Sequence, residues 1–131
     1  MNQHHVKAGE FAFKLAPKGT ASELYLGGTN HKLYSGSIEY HKVDTSTGFW
    51  QLTGASAYVG GKAVVKKFET IIDSGTTIMY GPPAAVKKVY AAIPGSGVYD
   101  SSQGYYYYPC NKAPSIAFSW GGKEWKISAS K

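Results

Sequence analysis

Three glycine pairs, Gly27-Gly28, Gly60-Gly61 and Gly121-Gly122, interrupt this chain, and apolar runs lie against each of them. Paired glycines accept the left-handed backbone that tight hairpin turns demand. A chain punctuated in this way is restricted to short strands joined by turns. Phe11-Ala-Phe-Lys-Leu15 and Glu23-Leu-Tyr-Leu26 read as strands around a turn at Ala16–Ser22. Tyr34–Val43 reads as a third strand, with Ile38 and Tyr40 on one face. Phe49-Trp-Gln-Leu52 and Ala55–Val59 follow, and the latter forms a hairpin with Lys62-Ala-Val-Val65 about Gly60-Gly61. Phe68-Glu-Thr-Ile-Ile72 reads as a buried strand. Tyr105–Tyr108, Ile116–Trp120 and Glu124–Ile127 complete the set, the last two joined at Gly121-Gly122. One helix is expected: Gly81-Pro82-Pro83 opens a stretch in which Val86, Val89, Tyr90 and Ile93 share a face, and Pro94-Gly95 closes it. The expected class is all-β, antiparallel sheets with one short helix near 83–93.

Composition narrows the functions. The length of 131 residues suits one domain, read as a 1–10 extension and an 11–131 body. A hydrophobic fraction of 43% against 17% charged excludes a disordered chain. No apolar run is long enough to span a bilayer, so no membrane insertion is expected. The net charge of +6 comes entirely from Lys, with no Arg. Lacking the planar fork that reads guanine edges, the chain is not expected to bind nucleic acid. The single Cys110 forms no disulfide framework, and His4, His5, His31 and His41 make no ligand set, so no metal and no cofactor are expected. No leader with an apolar core is expected from the first residues, Met-Asn-Gln-His-His-Val-Lys. The run Tyr105–Tyr108 is expected to place two rings inward and two outward rather than to form a stacking platform for bases or sugars. Trp50, Trp120 and Trp125 are read as packing residues rather than a ligand box.

The segment with chemical content is Glu69-Thr-Ile-Ile-Asp73-Ser74-Gly75-Thr76-Thr77. Asp-Ser-Gly alone is a common turn. Here the carboxylate ends an apolar strand, glycine follows after one residue, and two further hydroxyls come next. The spacing predicts a carboxylate at the base of a cleft, with Gly75 letting backbone approach and Ser74, Thr76 and Thr77 orienting its oxygens. Asp44, in Val-Asp-Thr-Ser-Thr-Gly48, is read as a turn.

These residues resemble the C-terminal lobe of the pepsin-like aspartic proteases. Ile71-Ile-Asp-Ser-Gly-Thr-Thr77 is similar to that family's second active-site motif. Phe11–Leu15, Glu23-Leu-Tyr-Leu-Gly-Gly28, Tyr34-Ser-Gly-Ser-Ile38, Phe49-Trp-Gln-Leu52, Gly81-Pro-Pro83, Tyr108-Pro-Cys110 and Pro114–Phe118 resemble other family segments in the same order. The likeness runs from about Phe11 to Ser130, with fungal enzymes the nearest in character. It implies an incomplete pepsin-like lobe and a secreted or vacuolar parent.

In this family two carboxylates, one from each lobe, share a proton around a water. The chain has three Asp, and Asp73 alone carries the motif. The first Asp-Thr-Gly, the flap and the end of the lobe are not found in it, and Cys110 lacks the partner that the resemblance implies. Three readings follow. The first is a non-catalytic lobe acting as a small basic binding protein for a peptide or protein, such as an acidic receptor surface of the kind that taste-active proteins engage. The second is a homodimeric enzyme pairing two copies of Asp73. The third is a piece of an endopeptidase in which Asp73 acts with a partner lobe. A missing strand would leave sheet edges open to self-association.

Overall fold

A computed structural model describes residues 5–17 and 20–128. It contains eight strands and one α-helix among these residues. His4, considered above beside His5, lies outside the described residues. The chain divides between Ile38 and Glu39 into two compact units.

In the first unit β1 (Phe11–Lys14) pairs antiparallel with β2 (Glu23–Leu26), with Phe11 opposite Leu26 and Lys14 opposite Glu23. A bond from Gly27 N–H to the Glu10 carbonyl (2.7 Å) extends the ladder by one step. A 3₁₀ turn at His31–Leu33 follows, which the sequence did not announce. Asn30 caps it by accepting from Lys32 N–H at 3.1 Å, while its amide donates to both Glu23 carboxylate oxygens.

The second unit is built on a four-stranded antiparallel sheet in the order β4-β3-β7-β8. Its strands are β3 (Gln51–Val59), β4 (Lys62–Ile71), β7 (Ile116–Ser119) and β8 (Trp125–Ile127). The Gly60-Gly61 hairpin is as expected: both glycines have positive φ, 57° and 79°, as a type I′ turn requires. The Gly121-Gly122 pair instead lies inside a longer link, residues 120–124, between β7 and β8. Ala55, Ala57, Val59 and Ala117 are buried. Small side chains at the centre let larger rings close over them: Phe68 meets Phe118 edge-to-face at 6.4 Å, and Trp120 stacks against Phe118 at 6.5 Å.

The helix α1 (Pro83–Ala91) starts on Pro82 and Pro83, where missing N–H groups cost nothing. Val86, Val89 and Tyr90 are half-buried and Lys87 and Lys88 exposed, as the helical spacing requires. Ile93, just past its end, is buried. A two-stranded sheet, β5 (Gly97–Asp100) with β6 (Tyr105–Tyr107), follows.

Several expectations change. Tyr34–Val43 forms no strand, because it has no strand to pair with among the described residues, and Ile38 and Tyr40 are both exposed. The pieces 49–52 and 55–59 fuse into β3, and 62–65 and 68–72 fuse into β4. The fusions depend on bulges: the register slips between Leu52 and Ala55, where Gly54 has φ 75°, and between Ala55 and Ser56, where Lys67 has φ 56°. A third slip lies between Ala57 and Tyr58. The tyrosine run places one ring inward, not two: Tyr106 is half-buried, whereas Tyr105, Tyr107 and Tyr108 are exposed. Trp120 packs as expected, but Trp50 and Trp125 are exposed at 58% and 46%.

Candidate functional site

The strand β4 delivers the motif. Its ladder ends with Ile72 N–H donating to the Trp50 carbonyl at 2.9 Å, so Asp73 is the first residue released from pairing. Two side-chain bonds fix this end of the strand. Trp120 Nε1–H donates to Thr70 Oγ1 at 2.8 Å, and the buried Gln51 amide donates to Glu69 Oε2 at 2.7 Å. The strand end therefore has a defined direction before the loop begins.

Asp73 then closes a short turn on itself: Gly75 N–H donates to Asp73 Oδ1 at 2.7 Å. A Cβ at Gly75 would stand 3.1 Å from that oxygen, tighter than ordinary contact, which is the local reason for glycine here. The hydroxyls of Ser74, Thr76 and Thr77 have no hydrogen-bond partner among the described residues. Orientation of the carboxylate thus comes from backbone rather than from the three hydroxyls. All five motif residues are exposed, so Asp73 stands on an open surface and not at the base of a cleft. The physical reason is that residues 72–82 form a loop outside any sheet.

The flanks of this loop are apolar. Ile71 and Ile72 before it are each 52% exposed, and Ile78, Met79 and Tyr80 after it are 54%, 67% and 72% exposed. Covering a side chain of this size is worth about 1.5–3 kcal/mol. Gly81 ends the loop where a Cβ would press on Val86 of α1 at 3.1 Å.

The other aspartates are occupied elsewhere. Asp44 accepts from the hydroxyl and N–H of Ser46 at 2.7 and 2.9 Å, and Asp100 accepts from Ser102 and Gln103. Those bonds, from the Ser46 and Ser102 hydroxyls first, hold both carboxyls below their ordinary values. The expected turn at Asp44 is what the structure contains. A shallow depression of about 380 Å³ beside it, lined by Lys42, Val43, Asp44, Thr45 and Thr53, includes no motif residue. Among the described residues no cluster of three or more His, Cys, Asp or Glu could hold a metal. Cys110 is a free, exposed thiol. No helix of the described residues is long and apolar enough to cross a membrane.

The residues that sequence reasoning missed are the supports rather than the motif. Gln51, Glu69, Thr70 and Trp120 fix the strand end, and their pairing across 18 and 50 residues has no local signal.

Comparison with known proteins gives the same family throughout. The eukaryotic aspartyl protease family matches residues 1–131. An aspartic protease of the fungus Phaffia rhodozyma is 41% identical over 99% of this chain and 33% of its own length. Bovine cathepsin D is 36% identical over 98% of the chain and 34% of its own length. The aspartic protease pepA of Leptosphaeria maculans is 38% identical over 68% of the chain and 22% of its own length. The chain thus spans about a third of the length of the curated relatives that it matches from end to end.

Proposed function

This chain belongs to the eukaryotic aspartyl protease family, and from that premise we propose that it supplies one carboxylate, Asp73, to an aspartic endopeptidase site and does not cleave peptides alone. The observation behind this reading is the solitary position of Asp73. It is exposed, its oxygen is set by Gly75 N–H, and Asp44 and Asp100 are each held in turns of their own.

The chemistry needs two carboxyl groups. One ionised group draws a proton from the attacking water while the other, protonated, donates to the scissile carbonyl. Two such groups in contact share one proton because both cannot ionise, and they titrate as a pair. Asp73 alone lacks the second half of this device. The exposed Ile71, Ile72, Ile78, Met79 and Tyr80 fit the same reading, since a second lobe seated over the loop would exclude water from the dyad. By itself the chain is a basic lobe that binds peptide or protein without cleaving it. No residue of the site favours a taste receptor as that partner. A secreted or vacuolar setting accords with chemistry carried out in acid.

The test is peptide cleavage at acid pH by the chain alone, by Asp73→Asn, and by each mixed with the N-terminal lobe of the Phaffia rhodozyma relative. The chain alone should match Asp73→Asn, and activity should appear in the mixture only with Asp73 intact. Cleavage by the chain alone that rises with the square of its concentration would replace this reading with a homodimeric enzyme.

A further inference from the structure

The β5–β6 hairpin carries a feature that the protease reading leaves unused. Gly97 lies directly opposite Tyr107, and a Cβ at Gly97 would fall 2.6 Å from the Tyr107 hydroxyl oxygen and 2.8 Å from Cε1 and Cζ of its ring. The ring therefore lies flat over the Gly97 backbone. Its remaining surface is open, with Tyr107 50% exposed. Tyr105, two residues earlier, is on the same strand face and 42% exposed. Tyr106, on the opposite face, stacks on Tyr90 of α1 with ring centroids 4.7 Å apart and planes 17° apart. That stack ties the hairpin to the helix, and the Gly97 contact seats the Tyr107 ring on the same strand face as the exposed Tyr105.

Charge identifies the occupant. No Lys occurs between Lys88 and Lys112, although the chain has 14. The one acid in that interval, Asp100, is engaged by Ser102 and Gln103. The hairpin itself therefore offers a polyanion no cation, and nucleic-acid affinity is dominated by such contacts. Flat rings rimmed by hydroxyls suit a neutral ligand with one apolar face and hydrogen-bonding edges, which is the chemistry of a pyranose ring. We propose that Tyr105 and Tyr107 form a stacking site for a neutral glycan chain.

The full chain would be titrated with cellohexaose and laminarihexaose, followed by tyrosine fluorescence, and depleted on insoluble cellulose and β-1,3-glucan. Binding of at least one of these is expected, and it should survive raised salt. Tyr107→Ala and Tyr105→Ala should each weaken it by about tenfold or more, by analogy with aromatic stacking on bases. Tyr107→Phe, which keeps the ring, should retain it, and the phenylalanine variant serves if Tyr107→Ala fails to fold. Absence of binding to all four glycans would overturn the proposal. So would binding unchanged in Tyr105→Ala, salt-sensitive binding of oligothymidylate alone, or self-association lost in Tyr107→Ala without glycan binding.

Discussion

Lys67 holds a left-handed backbone, φ 56°, within the β4 bulge that precedes Asp73 in the chain. A side chain at this φ crowds the following carbonyl and costs about 1–2 kcal/mol. Lys67→Gly removes that cost but gives the unfolded chain more freedom, a loss of about 0.5–1 kcal/mol. Because Lys67 is exposed, little packing is lost with it. The balance is a stabilisation of about 0.5–1 kcal/mol, or about 2–4 °C in Tm for a chain of this size. Thermal and urea unfolding followed by tryptophan fluorescence would measure it, with Trp120 reporting on the same sheet. Lys67→Ala keeps the crowded backbone while shedding the long side chain, and should shift stability by no more than about 0.5 kcal/mol. Strain is refuted as the controlling effect if the glycine variant is less stable than the parent, or if alanine and glycine stabilise equally.

Gly60 has nearly the same φ, 57°, so Gly60→Ala should act in the opposite sense and destabilise by about 0.5–1 kcal/mol in urea unfolding. Trp120→Phe removes the donor to Thr70 and should cost about 1 kcal/mol, with Thr70→Val in the same background adding little further in a double-mutant cycle. Glu39 accepts from Lys123 N–H at 2.8 Å and meets His41 at 2.6 Å, and the backbone bond in particular holds its carboxyl below the ordinary 4.5. A depressed folded-state value gives stability that is present above the ordinary value and lost as pH falls through the lower one, so acid unfolding should begin below about pH 4.5. Asp44 and Asp100 act in the same direction, and Glu39→Gln should flatten this acid limb in pH-dependent melts. The sheet edges, β4 and β8, should promote association as concentration rises in sedimentation velocity; a strict monomer would show that they are guarded.

Where local rules operate alone, the sequence is informative. Gly60-Gly61 specifies its turn, Pro82-Pro83 starts the helix, and the 3.6-residue spacing of Val86, Val89 and Tyr90 selects the inner face. The motif is equally local, since Asp73, Gly75 and the end of an apolar strand are all adjacent. The strand β4 is harder to read because its alternation is broken. Val65 faces the same side as Ala57, and Phe68 the same side as Ala55, three residues apart rather than two. Tyr34–Val43 shows the reverse error, with alternation present but no partner strand among the described residues. The openness of the Asp73 loop had no signal at all, because exposure depends on what is packed over a segment and not on the segment itself.

Beyond the bulge at Lys67 the site depends on a count. Side chains along a strand point alternately to opposite sides, so one residue more or fewer reverses every position beyond it. Lys67 is itself the extra residue of the bulge, so deleting it would leave Phe68 opposite Ala55, whereas deleting Glu69 would turn Thr70 away from Trp120. The strand would then release Asp73 on the reverse side of the sheet with its whole motif intact. Such a chain would match the family's active-site pattern letter for letter and present its carboxylate in the wrong direction. For this lobe, the spacing between Phe68 and Asp73 is as much a part of the site as the residues that surround the carboxylate.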